Sequence, residues 1–177
     1  MEKETFVYYE TLKNRYPNVR ILTWKKEFNY SAINNFAVRE ARGEYLLFLN
    51  NDVEIITENW LEEMLQLCQQ KDVGMVGAKL YYPDDTIQHA GVVVGLGGVA
   101  AHVLCKLPRD AEGYMGRLRC VQEISAVTAA CMMVKTSVFK AVGGFDEELK
   151  VAFNDIDLCM KVRKYGVKII FTPYAEL

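Results

Sequence analysis

The sequence predicts an α/β protein in which helices cover both faces of a mixed, mostly parallel sheet. Residues 45–49 are five consecutive apolar residues without alternation, a pattern typical of a strand that is buried on both faces. Strand patterns alternate with helix patterns from residue 19 to residue 78, and this alternation favours a parallel sheet with crossover helices. The chain has 177 residues, 51% of them hydrophobic, which is enough for one domain with its own core.

Each predicted element follows from a local pattern. Ser31 is a candidate N-cap for the second helix, which stops before Gly43, and Thr57 is the candidate cap of the third. The predicted helices cover residues 2–15, 31–41, 57–70, 136–142 and 155–165, and the predicted strands cover residues 19–23, 45–49, 73–78, 92–94, 129–134 and 167–171. The stretch from 80 to 123 is less regular, and we expect a mobile loop over residues 106–119.

The composition excludes several classes of protein. Lys and Arg total 21 against 23 Asp and Glu, so the net charge of −2 does not favour nucleic acid as a partner. Five cysteines without CxxC spacing indicate reduced thiols in a cytoplasmic protein, and neither a disulfide framework nor a zinc site. The longest apolar stretch, residues 90–104, is too short to span a bilayer. We therefore expect no transmembrane segment and no secretory leader.

The first polar motif that could carry chemistry is Asn50-Asn51-Asp52, directly after the strand over residues 45–49. In open α/β sheets, ligands bind outside the carboxyl ends of strands, so a carboxylate at this point is well placed for a ligand. Asp and Asn oxygens suit Mg²⁺ or Mn²⁺, and such an ion can hold a diphosphate. The alternative is a polar turn without a ligand, because Asn and Asp are common in turns.

The second polar motif contains Asp146 and, further on, Asn154-Asp155 at the start of a predicted helix. A carboxylate at a helix start is stabilised by the helix dipole, and an ionised Asp beside a bound hydroxyl can act as a general base. The alternative is that Asn154 or Asp155 only caps the helix.

The sequence has two histidines, His89 in Gln-His-Ala-Gly and His102. Neither lies in a zinc-binding spacing. An isolated histidine is more often a structural hydrogen-bonding group than a ligand, and this is the interpretation that we favour for both.

Together these motifs occur in an order that resembles the family 2 glycosyltransferases of the GT-A fold. The matching segments are residues 28–35, 41–52, 88–91, 125–129, 143–147 and 154–159. The similarity covers about residues 19–177 and is strongest to bacterial sugar transferases of the rhamnosyltransferase or O-antigen type. It implies a three-layer α/β/α sandwich. It also implies transfer of a sugar from a nucleotide-sugar donor to an acceptor hydroxyl, with inversion, in the synthesis of a bacterial cell-surface polysaccharide.

The resemblance also implies roles for individual residues. Asp52 stands in the place of the family's DxD motif and would be the ligand of a divalent metal, Mg²⁺ or Mn²⁺, that holds the donor diphosphate. Asp155 matches the family's catalytic base. The other implied site residues are Asn35, Asn50 and Asn51 for the donor, and Asp146 and Asn154 for the acceptor. The implied partners are a nucleotide-sugar donor and a saccharide or lipid-linked saccharide acceptor, in the cytoplasm or at the inner face of the cell membrane.

The resemblance is incomplete at both ends. Family members begin with strands that bind the nucleotide base, and they continue after the last strand into a His that completes the metal site. We therefore expect residues 1–177 to be a single, partial catalytic domain that, when isolated, binds its donor weakly and turns over slowly. We also expect an exposed sheet edge, covered either by the N-terminal helix or by a second copy of the chain in a homodimer.

Two other classes of protein remain as alternatives. A catalytically inactive GT-A-like binding or scaffolding module would keep the fold, and the missing ends favour it, whereas Asp52 and Asp155 favour the enzyme. A sugar nucleotidyltransferase has a similar sheet, but the Gly-rich nucleotide loop that it needs near its N-terminus is not found.

Overall fold

The protein folds into a mixed sheet with helices on both faces. The computed structural model describes residues 3–177. The helices are α1 Lys3–Arg15, α2 Tyr30–Glu40, α3 Trp60–Cys68, α4 Thr136–Ala141 and α5 Asn154–Lys164. The strands are β1 Tyr45–Leu49, β2 Val73–Tyr81, β3 Ile87–His89, β4 Val92–Val94, β5 Ala100–His102, β6 Gln122–Glu123, β7 Cys131–Lys135 and β8 Lys168–Glu176.

The main sheet has the strand order β1-β7-β2-β8-β6, with β3 paired to β2. β1 and β2 run in the same direction because both pair antiparallel with β7, which lies between them, and β2 pairs in parallel with β8. β4 and β5 form a separate antiparallel hairpin. The predicted mixed α/β sheet is confirmed. Because β7 lies between β1 and β2 and is antiparallel to both, the sheet has more antiparallel strand pairs than the alternation of helices and strands predicts.

Two apolar cores lie on opposite faces of the sheet. Successive side chains of a strand point to opposite faces, so Met75 of β2 joins one core and Val76 joins the other. The first core includes Leu158 of α5, and the second includes Trp60 and Met64 of α3. With helices packed on both faces, the arrangement is the predicted three-layer α/β/α sandwich.

The five predicted helices are all present, but their caps differ from the predicted ones. The first predicted helix includes Glu2, which lies outside the described residues. Asn29, and not Ser31, caps α2 by accepting a hydrogen bond from an N–H of the first turn, at 2.9 Å. Thr57 does not cap α3; its hydroxyl accepts a hydrogen bond from the N–H of Glu176 at 3.2 Å and thereby joins the chain before α3 to the last strand.

The predicted strand over residues 19–23 is wrong. β1 lies at one end of the sheet, and the strand beside it is β7, so in the described part of the chain residues 19–23 have no ladder partner. β1 itself buries Leu46 and Phe48 in one core, whereas Leu47 is only partly buried against the other and Leu49 is 42% exposed. The expected exposed sheet edge is therefore the outer edge of β1.

The described residues of the N-terminal helix do not join either apolar core. No residue of α1 from Glu4 to Arg15 is buried, and Phe6, Val7 and Tyr8 are each more than half exposed. Among residues 3–177, no helix combines the length and the apolar character that crossing a bilayer requires.

The segment that we expected to be a mobile loop is tied to β3. The N–H of Lys106 donates to the carbonyl of Ile87, and the N–H of Ile87 donates to the carbonyl of Leu107, both at 2.8 Å. Leu118, further along in the 3₁₀ turn Tyr114–Arg119, is buried in the first core. The segment therefore packs as part of the domain.

Candidate functional site

A cavity of about 600 Å³ opens at the carboxyl end of β1. The N–H of Asn50 donates to the carbonyl of Ala130 at 2.9 Å, which holds the start of the turn after β1 beside the entry to β7. Asp52 is exposed in this turn and lines the cavity together with Asn50. The other polar side chains that line it include Glu54, Tyr81, Tyr82, Asp85, Gln88 and Arg109.

Asp52 fits a cation that is shared with a diphosphate. Glu54 and Asp85 line the same cavity, but within residues 3–177 no three carboxylate, His or Cys side chains are grouped so that they could hold a metal ion by themselves. Mg²⁺ often binds through one or two carboxylates and completes its shell with substrate phosphates and water. The residues present match this shared arrangement and do not match an all-protein metal site.

Asp155 lies inside the first turn of α5 with its carboxylate held by backbone groups. One carboxylate oxygen accepts from the N–H of Ile156 at 2.9 Å, and the other accepts from the N–H of Ala129 at 3.4 Å. Asn154 is buried, and its Oδ1 accepts from the N–H of Asp155 at 2.8 Å. The N-cap residue is Phe153, at a left-handed φ of 62°, so neither Asn154 nor Asp155 is the cap that one alternative expected.

Tyr30 of α2 packs beside this carboxylate. Its hydroxyl donates to the carbonyl of Ala129 at 3.2 Å. Burial, and then the negative charge of Asp155, raise the pKa of Tyr30 to about 12. The phenol therefore stays a protonated hydrogen-bond donor at neutral pH.

Residues 128–130, which we call the 128–130 segment, connect three elements through main-chain atoms. The N–H of Thr128 faces Nε2 of His89 at 3.4 Å, the N–H of Ala129 faces Asp155, and the carbonyl of Ala130 receives the N–H of Asn50. The turn that carries Asp52 and the helix that carries Asp155 therefore meet at one short piece of chain.

His89 reaches this segment from β3 and is fully buried. Its Nδ1 lies 2.9 Å from Nδ1 of His102, and the two rings are nearly perpendicular, at 83°. Burial, and then the charge that His102 can carry, lower the pKa of His89 to about 3. The structural hydrogen bonds that we expected for both histidines are present, but the sequence pattern did not predict that the two histidines bind each other, because they lie on different strands.

Five of the seven predicted site residues do not line the cavity at β1: Asn154 and Asp155, described above, and Asn35, Asn51 and Asp146. Asn51 is exposed in the turn but does not line the cavity. Asn35 exchanges two hydrogen bonds with the backbone of Phe145, and it lines a second cavity of about 360 Å³ beside α4. The carboxylate of Asp146 accepts from the N–H of Glu148 at 2.9 Å, as in an Asx turn. Their roles in binding donor or acceptor stay predictions.

Comparison with known sequences identifies a family and two relatives. The model of "Glycosyl transferase family 2" matches residues 4–143. The uncharacterized protein y4gI of Sinorhizobium fredii is 52% identical over the whole chain, which covers 20% of that protein. The O-antigen biosynthesis protein RfbC of Myxococcus xanthus is 41% identical over 91% of the chain, which covers 13% of that protein. The chain thus spans a fifth or less of these two relatives.

Comparison with solved structures identifies the fold. GalNAc-T7, crystallised with UDP, GalNAc and Mn²⁺, aligns with a TM-score of 0.73 at 15% identity, over 98% of this chain and 34% of that one. The mannosyltransferase PcManGT of Pyrobaculum calidifontis, in complex with GDP-Man and Mn²⁺, aligns with a TM-score of 0.68 at 16% identity, over 99% of this chain and 44% of that one. At these identities the likeness shows the fold alone, which is the expected GT-A sandwich.

Proposed function

Because the chain belongs to glycosyl transferase family 2, we propose that it transfers a sugar from a nucleotide-sugar donor to an acceptor hydroxyl, in the synthesis of a bacterial cell-surface polysaccharide. One observation carries the proposal: the 128–130 segment joins the turn of Asp52 to the carboxylate of Asp155. The relative in O-antigen biosynthesis supports a polysaccharide product. The nucleotides in the two similar structures support a nucleotide-sugar donor. We further propose that residues 1–177 are one part of a larger catalytic domain.

On the donor side, Asp52 would hold a divalent cation, Mg²⁺ or Mn²⁺. When bound, this cation supplies positive charge to the donor diphosphate and to the departing nucleotide. Asn50 and Asn51, in the same turn, would bind the donor through their side-chain amides. Asn35 is the fourth proposed donor-binding residue, although it lines the second cavity and its side chain is bonded to the backbone of Phe145.

On the acceptor side, Asp155 would act as the general base. The acceptor oxygen forms a bond to the anomeric carbon, the bond from that carbon to the diphosphate oxygen breaks, and the acceptor proton passes to Asp155. A single displacement of this kind inverts the anomeric configuration. Asn154 is 4% exposed and binds the N–H of Asp155, so it would position the base, while Asp146 would contact the acceptor.

We propose a saccharide or lipid-linked saccharide as the acceptor, with the protein in the cytoplasm or at the inner face of the membrane. We also propose that a second copy of the chain covers the outer edge of β1 in a homodimer. The support is that β1 ends the sheet in the described residues, and such an edge has unpaired backbone groups.

Paired substitutions on α5 test the catalytic assignment. Asp155→Asn keeps the size of the side chain and should lower kcat about 10²- to 10⁴-fold, which is the usual contribution of a general base. Asp157→Asn is the matched control, because Asp157 lies on the same helix and forms an ion pair with Lys161 at 2.7 Å. Radiolabelled sugar transfer from a panel of nucleotide sugars measures both variants. Equal activity of the two variants would rule out Asp155 as the base.

Calorimetric titration with UDP and GDP-mannose, each with Mn²⁺, separates binding from turnover. Asp155→Asn should bind the nucleotide like the parent protein, whereas Asp52→Ala should lose the Mn²⁺-dependent part of the binding. Glu58→Ala removes an exposed carboxylate outside the cavity and should change neither. Nucleotide binding by the full-length protein without any transfer would favour the inactive binding module instead.

A further inference from the structure

The two histidines of the chain form one hydrogen-bonded pair beside the proposed base. His89 lies on β3, fully buried, and His102 ends β5 in the neighbouring hairpin. Their Nδ1 atoms are 2.9 Å apart, and a hydrogen bond at this distance needs one proton between them. The proposed mechanism uses neither residue.

The hydrogen-bond partners assign the proton positions. Nε2 of His89 faces the N–H of Thr128 at 3.4 Å and must therefore be an acceptor. A neutral His89 then carries its proton on Nδ1 and donates it to Nδ1 of His102. Because that nitrogen of His102 accepts, the proton of a neutral His102 lies on Nε2. His102 therefore presents one N–H donor on the ring atom that points away from His89.

This arrangement opposes protonation of either ring. Proton uptake on Nδ1 of His102 would either place two protons between the rings or require His89 to move its proton to Nε2 and give up the bond from Thr128. The partial burial of the ring lowers the pKa of His102, while the carboxylate of Asp155 on α5 raises it. Asp155 is the charged group that acts on the pKa of His102, and His89 contacts the His102 ring directly.

His102 and Asp155 are linked through the 128–130 segment. His102 is exposed as a residue, although its ring is partly buried, and it interacts electrostatically with Asp155. The N–H groups of Thr128 and Ala129, consecutive in the chain, face His89 and Asp155 respectively, so the 128–130 segment holds the histidine pair and the carboxylate at a constant relative position.

We propose that His102 is an acceptor-binding residue, which donates Nε2–H to an oxygen of the acceptor sugar next to the hydroxyl that Asp155 deprotonates. His89 is the positioning residue that fixes its tautomer. This inference rests on the proposed function and names the chemical class of the acceptor. A neutral donor beside a carboxylate suits a vicinal diol, in which one hydroxyl accepts from His102 and the other donates to Asp155. A phosphate or carboxylate in the same place would be repelled by Asp155.

Nitrogen NMR of the histidine rings tests the pair without any need for turnover. We expect Nδ1–H on His89, Nε2–H on His102, and protonation of His102 only below the pH at which an ordinary histidine titrates. Methyl glycosides of rhamnose, glucose, galactose and N-acetylglucosamine, added one at a time, should include one that shifts the Nε2 signal of His102 saturably. An Nδ1–H tautomer or ordinary titration of His102 near pH 6.5 overturns the proposal. Absence of a shift with every glycoside also overturns it.

Transfer kinetics with the same glycosides test the role in binding. His102→Phe keeps a ring without a donor, and it should raise the acceptor KM at least 10-fold while the affinity for UDP or GDP-mannose with Mn²⁺ stays the same. His102→Gln keeps an N–H donor and should recover most of the loss. An unchanged acceptor KM in His102→Phe overturns the inference even when transfer is robust. A parent protein that binds a glycoside at His102 but transfers no sugar contradicts the proposed function instead.

Discussion

Replacing Gly144 with alanine should lower the free energy of unfolding by about 2–4 kcal/mol, from a strained φ and from the loss of hydrogen bonds to Asn35. Gly144 has a φ of +71°, where an alanine costs about 1–2 kcal/mol. The added Cβ would also lie 2.8 Å from Oδ1 of Asn35 and 3.0 Å from the ring of Phe139. That oxygen accepts from the N–H of Phe145, and the Asn35 amide donates back to the Phe145 carbonyl at 2.9 Å. Displacing the side chain weakens both bonds, at about 1 kcal/mol each.

Gly143 provides a matched control for this substitution. It has a φ of +83°, but a Cβ built there meets nothing within 4 Å, so Gly143→Ala should lose only the strain component. Both substitutions restrict the unfolded chain equally, so their difference, about 1–2 kcal/mol, measures the contacts with Asn35 and Phe139.

Urea unfolding followed by circular dichroism gives the comparison. With an m-value of about 2 kcal/mol per molar urea, the midpoint of Gly144→Ala should lie about 0.5–1 M below that of Gly143→Ala. In an Asn35→Ala background the difference between the two glycine variants should shrink to the part that arises from the Phe139 contact. Equal midpoints in the parent background, or an undiminished difference without Asn35, would refute the reasoning.

Two further predictions concern the core and the histidine pair. Met64→Ala should cost about 2–5 kcal/mol, because the side chain is fully buried in the α3 core, whereas Leu61→Ala, on the same helix but 40% exposed, should cost much less. Similar urea midpoints for the two variants would contradict this packing. The His89 pKa of about 3, below the unfolded value of 6.5, means that its contribution to stability is complete above pH 6.5 and is lost as the pH falls toward 3. Urea midpoints at pH 7 and pH 5 should therefore differ more for the parent than for His89→Gln, and an equal difference would exclude His89 as a source of acid sensitivity.

Local apolar patterns predicted the helices and most of the strands, because each of them depends on a few neighbouring residues. The order of strands could not be predicted in the same way. β7 enters between β1 and β2, so that Leu46 lies opposite Val134, and no local pattern contains this pairing. The strand predicted over residues 19–23 is wrong for the same reason: a strand needs a neighbouring strand to pair with, and a local pattern does not show whether one is present.

The candidate site was predicted unevenly for a related reason. Asp52 and Asp155 stand at element boundaries that the sequence marks, after an apolar strand and at a helix start. His102 has no such marker, because its contact with His89 depends on the hairpin that turns β5 back along β4. The prediction of Ser31 as a cap was wrong because its hydroxyl donates to the carbonyl of Leu149 at 2.7 Å, and a serine in one turn has several polar groups to choose from.

The 128–130 segment should tolerate substitutions of small side chains better than insertions or deletions. Its bonds to His89, Asp155 and Asn50 use N–H and C=O groups that every residue except proline carries. Exchange of one small side chain for another therefore leaves them in place, whereas deletion of a single residue would move each amide to the neighbour's position. A change of length should therefore be rare here.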